Sequence, residues 1–388
     1  MDTAERAYLD YNATAPLREE AARALVHALE RVGNASSVHA EGRAARAALE
    51  AARAEVAALV EADPAAVIFT SGGSEANALA LAPGFARPGE AGAEVLLVGA
   101  GEHPCVLDGH RFPADAVERI PLDAHGVADL AWLEARLSAL TGRRALVSLQ
   151  LANNETGVVQ PVAEAARIAH AHGASIHTDA VQAPGKIPVS IRALGVDAMT
   201  LSAHKIGGPQ GAGALVLASE GYGLDRLVRG GGQERGFRAG TENVPAIVGF
   251  GAAARLVREH LDGERERLAR LGAAFAAAVR EKAPEAVVFG DGAPRLPNTI
   301  LFAVPGLRAE TALIAFDLGG VALSSGSACS SGKVKRSHVL DAMGVDPSLA
   351  EGALRLSCGY ATRDAEVIRF ASVLENIEAR RVRRSRAA

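Results

Sequence analysis

The sequence predicts an α/β protein in which a large domain, built on a mostly parallel sheet, is followed by a smaller α+β unit. Three observations carry that reading. Short continuous apolar runs, "AVIFTSG", "EVLLVGAG", "ALVSLQLA", "ASIHTDA", "AMTLSA" and "GALVLA", alternate with helical stretches such as "DLAWLEARLSAL" and "PVAEAARIAHAHG". Strands that are apolar on both faces belong in a parallel sheet covered by helices on either side. At 388 residues the chain exceeds one ordinary core, so a second domain is expected. The pattern also changes after the long helical stretch that starts at "NVPAIVGFGAAARLV".

In chain order, residues Glu19 to Leu59 read as alanine-rich helix interrupted by the loop "GNASSVHAEG". The alternating strands and helices follow, and "HAHG" at His170 to Gly173 reads as a helix end with its glycine stop. One or two long helices lead into "AVVFG", "NTILFAV", "ETALIAFDLGG", "VALSSGSACSSG", "ALRLSCG" and a final helix. The expected division is a large domain over 16–255 and a small domain formed by 1–15 with 256–388.

Composition excludes several classes of function. The net charge is only −4, and the basic tail "EARRVRRSRAA" reads as a solvated terminus; no nucleic-acid module is present. The start lacks the sections of a signal peptide and no apolar run reaches the length of a membrane span, so a soluble cytoplasmic protein is expected. The three cysteines, Cys105, Cys329 and Cys358, are widely spaced without a CxxC pair, and no HExxH occurs. Neither a disulfide framework nor a metal site is expected.

The chemistry centres on "TLSAHKIGGPQGAGAL", Thr200 to Leu215. Lys205 falls between an apolar strand and a run of glycines, flanked by Ser202 and His204. A lysine there is either bonded to local carbonyls or held as a neutral, nucleophilic amine. Of five lysines (Lys186, Lys205, Lys282, Lys333 and Lys335), only Lys205 has this strand-end placement. Asp179 ends the strand "ASIHTDAVQ", where a carboxylate would meet a ligand at the sheet's carboxyl edge; it would serve a cofactor's protonated ring nitrogen or cap the next helix. Gln182 follows within reach of a ring oxygen.

"IFTSGGSEANALAL" reads as strand, glycine turn and helix start, a phosphate cradle in which amides near Ser74 and Glu75 face an anion. It matches neither the P-loop nor GxGxxG, so nucleotide binding is not indicated. Cys329 lies in a serine- and glycine-rich run beside Lys333, Lys335 and Arg336, a setting for a stabilised thiolate. Cys358 shares strand parity with Leu354 and Leu356 and reads as core. Arg355 points the other way, as a fork for a substrate carboxylate or as a surface arginine on an edge strand. His103, in "GEHPCVLDG", could stack on a planar ring or move a proton, and Cys105 receives no role.

The ordered set "YLDYNATAP", "GNASSVHAEGRAAR", "FTSGGSEAN", "EHPCVLD", "NNETGVVQPV", "HTDAVQAPGK", "SAHKIGGPQGAGAL", "RGGGQERGFRAGTENV", "SSGSACSSG" and "LRLSCG" resembles the class V aminotransferase fold, within it the NifS/IscS-type cysteine desulfurases. The resemblance implies fold type I of the pyridoxal 5'-phosphate (PLP)-dependent transferases, with a seven-stranded-type sheet. It implies that Lys205 holds the cofactor covalently as an imine, His103 stacks on its ring, Asp179 pairs the ring nitrogen and Gln182 bonds the phenolic oxygen. Phosphate contacts would come from Gly73, Ser74, Ser202 and His204, with Thr241 supplied by the second subunit of a homodimer. Arg355 and Asn154 would hold the carboxylate of L-cysteine. Cys329 would take its sulfur as a persulfide, leaving L-alanine, and pass it to an acceptor protein such as an iron–sulfur scaffold. Other enzymes on this fold, a selenocysteine lyase or an aminotransferase, and a weakly catalytic sulfur-relay protein are the rival readings. Ser74 and Ala78 depart from the family's commoner threonine and asparagine.

Overall fold

The computed structural model describes residues 6–326 and 336–387. After a two-residue strand β1 (Ala7–Tyr8), the chain lays down β2 (Val67–Thr70), β3 (Val95–Gly99), β4 (Val117–Ile120), β5 (Ala145–Ser148), β6 (Ser175–Asp179), β7 (Ala198–Ser202) and β8 (Gly213–Leu217). These seven later strands form one sheet in the order β2-β8-β7-β6-β5-β3-β4. Only β8 runs against its neighbours. The expected mostly parallel sheet is therefore present, with seven strands.

The continuous apolar runs have a direct structural cause. In β3, Val95 and Leu97 enter the core on one face while Leu96 and Val98 enter the core on the other. Side chains alternate across a strand, so a strand covered by helices on both sides is apolar at every position. The helices Ala40–Leu59 and Val162–Ala171 cover one face, and Gly73–Ala80 covers the other. The parallel strands β5, β6 and β7 thus bring Ser148, Asp179 and Ser202 to the same edge, where ligands collect in such sheets.

The second half is built around β9 (Val287–Val288), β10 (Thr299–Ala303), β11 (Val321–Ala322), β12 (Ser324–Ser325) and β13 (Leu354–Ser357). An antiparallel sheet has the order β12-β13-β10-β9, and β1 pairs with β11. A single helix, Val244–Lys282, spans both halves: Ala246 to Val257 pack into the large core and Leu268 to Val279 into the second one. That second core closes on Phe275, Phe302, Phe316 and Phe370, and it includes Ala7 and Leu9 from the start of the chain. Among the described residues no helix is long and apolar enough to cross a membrane.

One buried ion pair fixes the segment that carries Thr241. Glu234 and Arg235 have φ of 44° and 55°, a left-handed conformation that non-glycine residues resist. The Glu234 carboxylate compensates by accepting from Arg53 Nη1 at 2.7 Å, Arg53 Nη2 at 2.8 Å and the Phe69 amide at 2.8 Å. Both side chains are buried, so removing one leaves the other as an uncompensated charge. Glu234→Ala is expected to lower stability by about 3–5 kcal/mol in denaturant unfolding. A loss under about 1 kcal/mol, the range of exposed pairs, would show that the pair does not hold this segment.

Candidate active site

At the end of β7 the chain turns through a short 3₁₀ helix, Ala203–Lys205, and returns along β8. The glycines that follow the lysine make this return possible. A Cβ on Gly213 would lie 2.6 Å from the Gly72 backbone, so the close approach of β8 to the turn after β2 requires glycine there. Lys205 is thereby projected inward at the sheet's carboxyl edge. Its Nζ donates to the carbonyl oxygens of Asn12 and of Ala13, the latter at 2.9 Å.

The carbonyls receive its hydrogens, while burial, aided by Arg355, pushes the amine down to about 8. Asp179 and Asp10 oppose the shift. An amine with that affinity for protons is substantially neutral in mildly alkaline solution and can act as a nucleophile.

Lys205 opens into a cavity of about 330 Å³ lined by residues from both halves of the chain. From the large sheet come Gly73, Ser74, His103, Asn154, Asp179, Gln182, Ser202 and His204; from the second half comes Arg355. All the expected binding residues except Thr241 and Cys329 therefore meet in one place. An adjoining hollow of about 270 Å³, bounded by Ser71 to Glu75, Ser202, His204 and Gln210 to Ala212, shares Gly73, Ser74, Ser202 and His204 with it.

The helix Gly73–Ala80 points its N-terminus, with unpaired amides, into these hollows. A Cβ on Gly73 would lie 3.0 Å from Val181 and 3.6 Å from Ser202, so the cradle is closed to a larger residue. His204, whose Nδ1 lies 3.2 Å from Thr14 Oγ1, is pushed down to about 4 by burial and by Lys205. Its ring is therefore neutral near pH 7.

Asp179 is held rather than free. Its Oδ2 accepts from Asn77 Nδ2 at 2.8 Å and its Oδ1 from the Val181 amide at 2.9 Å, so it also caps the following turn. Nearby Glu102 is fully buried; burial, with Asp179 beside it, raises its carboxyl well above the usual range despite the Gln150 amide. His103 lines the cavity with its Nδ1 accepting from the Cys105 amide at 3.2 Å; burial lowers its affinity for protons, as do Lys205, His338 and Arg355, while Asp179 opposes this.

Arg355 departs from its surface reading. It lies on β13, an inner strand between β12 and β10, and is 1% exposed. Its Nη2 donates to Asp10 Oδ1 at 2.7 Å and its Nη1 to the Asn154 carbonyl at 3.0 Å, while Nε has no partner among the described residues. A fixed guanidinium fork at the cavity wall, with three of its five N–H donors left over, suits a small carboxylate. Asn154 contributes its main chain to holding the arginine.

Thr241 is not brought into this cavity by its own chain. It lines a separate groove of about 160 Å³ that shares Ser71 and Gly211 with the phosphate-cradle side. Cys329, with Lys333 and Lys335, lies outside the described residues. The residues flanking that stretch converge on buried Glu155: Ser337 Oγ donates to its Oε2, and a Cβ on Gly326 would lie 2.9 Å from the same oxygen.

Some participants had not been assigned from sequence. Asp10 and Asn12 reach the site from the strand-like start "AYLDYN", where polar residues directly after an apolar run were the available signal. Cys105 also lines the cavity, its Sγ 3.0 Å from His103 Nδ1 and 3.2 Å from Asn77 Nδ2. Burial, then Asp179, pushes this thiol up to about 12, so it is an unreactive, protonated neighbour of the histidine. Cys358 is buried in the second core, as its strand parity predicts.

A parallel-edge cavity with a strand-end lysine, a facing aspartate and a helix N-terminus belongs to the fold type I enzymes, and comparison with known proteins agrees. The family Aminotransferase class-V matches residues 7–370. The chain is 43% identical over 379 residues to a cysteine desulfurase of Cereibacter sphaeroides, covering 96% of each. It is 39% identical over 374 residues to a cysteine desulfurase IscS of Dictyoglomus turgidum, covering 95% of this chain and 94% of that one. Among solved structures, a NifS-like protein from Rickettsia africae superposes with a TM-score of 0.87 at 33% identity, over 96% of this chain and 99% of that chain. The chain belongs to the class V aminotransferase family.

The lowered affinity of Lys205 for protons gives a direct expectation. Labelling of Lys205 by an amine-directed aldehyde, followed by peptide mapping, is expected to rise with pH about a midpoint near 8. A midpoint near the ordinary value of 10.5 would mean that the carbonyls of Asn12 and Ala13 hold the amine fully charged.

Proposed function

We propose that this protein is a PLP-dependent cysteine desulfurase that converts L-cysteine to L-alanine and forms a persulfide on Cys329. The observation that carries the reading is the convergence of Lys205, Asp179 and Arg355 on one cavity: an amine, a ring-facing carboxylate and a carboxylate-binding fork. The residues present fit the cofactor. The Gly73 cradle has room for a phosphate but none for a larger residue at that position, and the hydrogen-bonded Asp179 is placed to hold a ring-nitrogen proton.

Lys205 provides the covalent attachment, Gln182 the donor to the ring oxygen, and His103 the surface against the ring face. Gly73, Ser74, Ser202 and His204 receive the phosphate. When bound, the cofactor supplies a conjugated electron sink for charge developing beside the substrate amine.

The remaining work falls to the chain. Arg355 binds the substrate carboxylate, with Asp10 and the Asn154 carbonyl keeping its fork in place. Lys205 would take the proton from the α carbon, a role suited to an amine poised near 8. Cys329 then attacks the substrate sulfur as a thiolate. A sulfur–sulfur bond forms as the carbon–sulfur bond breaks, the electron pair left on the β carbon is protonated to give the methyl group, and Lys205 returns a proton to the α carbon to complete alanine.

The active form is a homodimer, in which Thr241 of one copy completes the phosphate site of the other. Supporting this, Leu227 and Val228 on the same segment are exposed, as are Val26, Leu29, Val32 and Val38 near the first helix. The reaction belongs in the cytoplasm, a setting suited to the unpaired Cys105 and Cys358. The sulfur goes to an acceptor protein, such as an iron–sulfur scaffold.

Incubating cofactor-loaded protein with L-cysteine is expected to give alanine and a persulfide mapping to Cys329 by mass spectrometry. Cys329→Ala should keep the yellow cofactor and lose sulfur release. Unchanged turnover in that variant would defeat the desulfurase assignment.

A further inference from the structure

Lys186 is a second buried amine close to the cavity, and the mechanism above gives it no task. It is 6% exposed and follows Gly185, whose φ of +78° makes the tight turn. Among the described residues no carboxylate pairs with it. The charged groups that act on it are Lys205 and Arg355, both lowering its affinity for protons, with the Cys358 thiol opposing them. Burying an amine without a counter-charge is unfavourable, so its retention at this point calls for a local use.

Its contacts show what it touches. Lys186 Nζ donates to the Gln182 carbonyl at 2.8 Å and to Gln182 Oε1 at 3.1 Å. An ammonium or amine at that spot has hydrogens to give, so the oxygen end of the amide must face it. The other end, Nε2, donates to the Asn12 carbonyl at 3.0 Å, the same oxygen that receives Lys205. Turning the amide over would set its NH2 against Lys186 and its oxygen against the Asn12 carbonyl, which is unfavourable at both ends. Nε2 has a second hydrogen, and Gln182 lines the cavity.

We infer that Lys186 is a positioning residue: it locks the Gln182 amide so that a donor, not an acceptor, faces the ligand's ring oxygen. The inference rests on the PLP reading of the cavity. It makes the run Lys186, Gln182, Asn12, Lys205 one polar chain that reaches from behind the site to the reactive amine.

The test uses the cofactor-loaded protein and the pH midpoint of its visible absorption band, with thermal melting as the check on folding. Lys186→Met removes the donor at similar length. It is expected to raise the midpoint by roughly half a unit to one unit, the scale of one net hydrogen bond. In a Gln182→Leu background the same substitution should add no further shift. A second variant, Lys186→Gln, keeps a neutral donor and should stay near the wild-type midpoint. Equal shifts with and without Gln182, or equal shifts for Lys186→Met and Lys186→Gln, would overturn the inference, because the lysine would then act only as a distant charge. An unshifted Lys186→Met would overturn it too. If wild-type protein given the cofactor shows no visible band, the PLP reading itself falls, and the inference with it.

Discussion

Burying the Lys205 amine is the constraint around which the site is arranged. A lysine removed from water at the end of β7 must find acceptors, and the nearest are main-chain carbonyls of Asn12 and Ala13, which arrive from the opposite end of the chain. Meeting that need draws the N-terminal segment across the sheet edge. Once there, Asn12 also donates to Thr299 at 2.9 Å and to the Asn154 carbonyl at 3.1 Å. Asp10 on the same segment fixes Arg355. The substrate-binding arginine is therefore placed by the segment that hosts the reactive lysine, and a change in one is felt by the other.

The charges follow a similar logic. The cavity holds Lys205, Arg355, Asp179 and His204, and burial disfavours the charged form of that histidine as it does of Glu102 nearby. Arg355 helps to depress Lys205, and Asp179 and Asp10 limit the effect. The balance leaves an amine that can both bond to carbon and exchange protons near neutral pH. Cys105, protonated and packed between His103 and Asn77, adds no competing thiolate beside this amine.

Much of this was legible in the sequence where a local rule applied. Strand ends in a parallel sheet face one edge, so Asp179, Gln182 and Lys205 could be placed at the site from strand pattern alone. The glycines of "TSGGSEAN" marked a helix start that faces an anion. Other residues depend on contacts that no local pattern encodes. Strand pattern left Arg355 open between a carboxylate fork and an edge-strand arginine, because the antiparallel pairing that buries it joins residues far apart, and its partner Asp10 lies 345 positions away. Lys186 showed only that it follows a glycine; the folded turn brings its amine onto Gln182. Thr241 has its expected role only with a second copy, since its own chain keeps it in a separate groove.

The central claim is that the Lys205 amine forms a covalent imine with an electron-withdrawing ring. Borohydride reduction of PLP-loaded protein, followed by digestion and peptide mapping, tests it most directly. The account predicts one stable pyridoxyl adduct, on Lys205, with the neighbouring buried Lys186 unmodified. An adduct on Lys186 or elsewhere, or none in fully loaded protein, would contradict it.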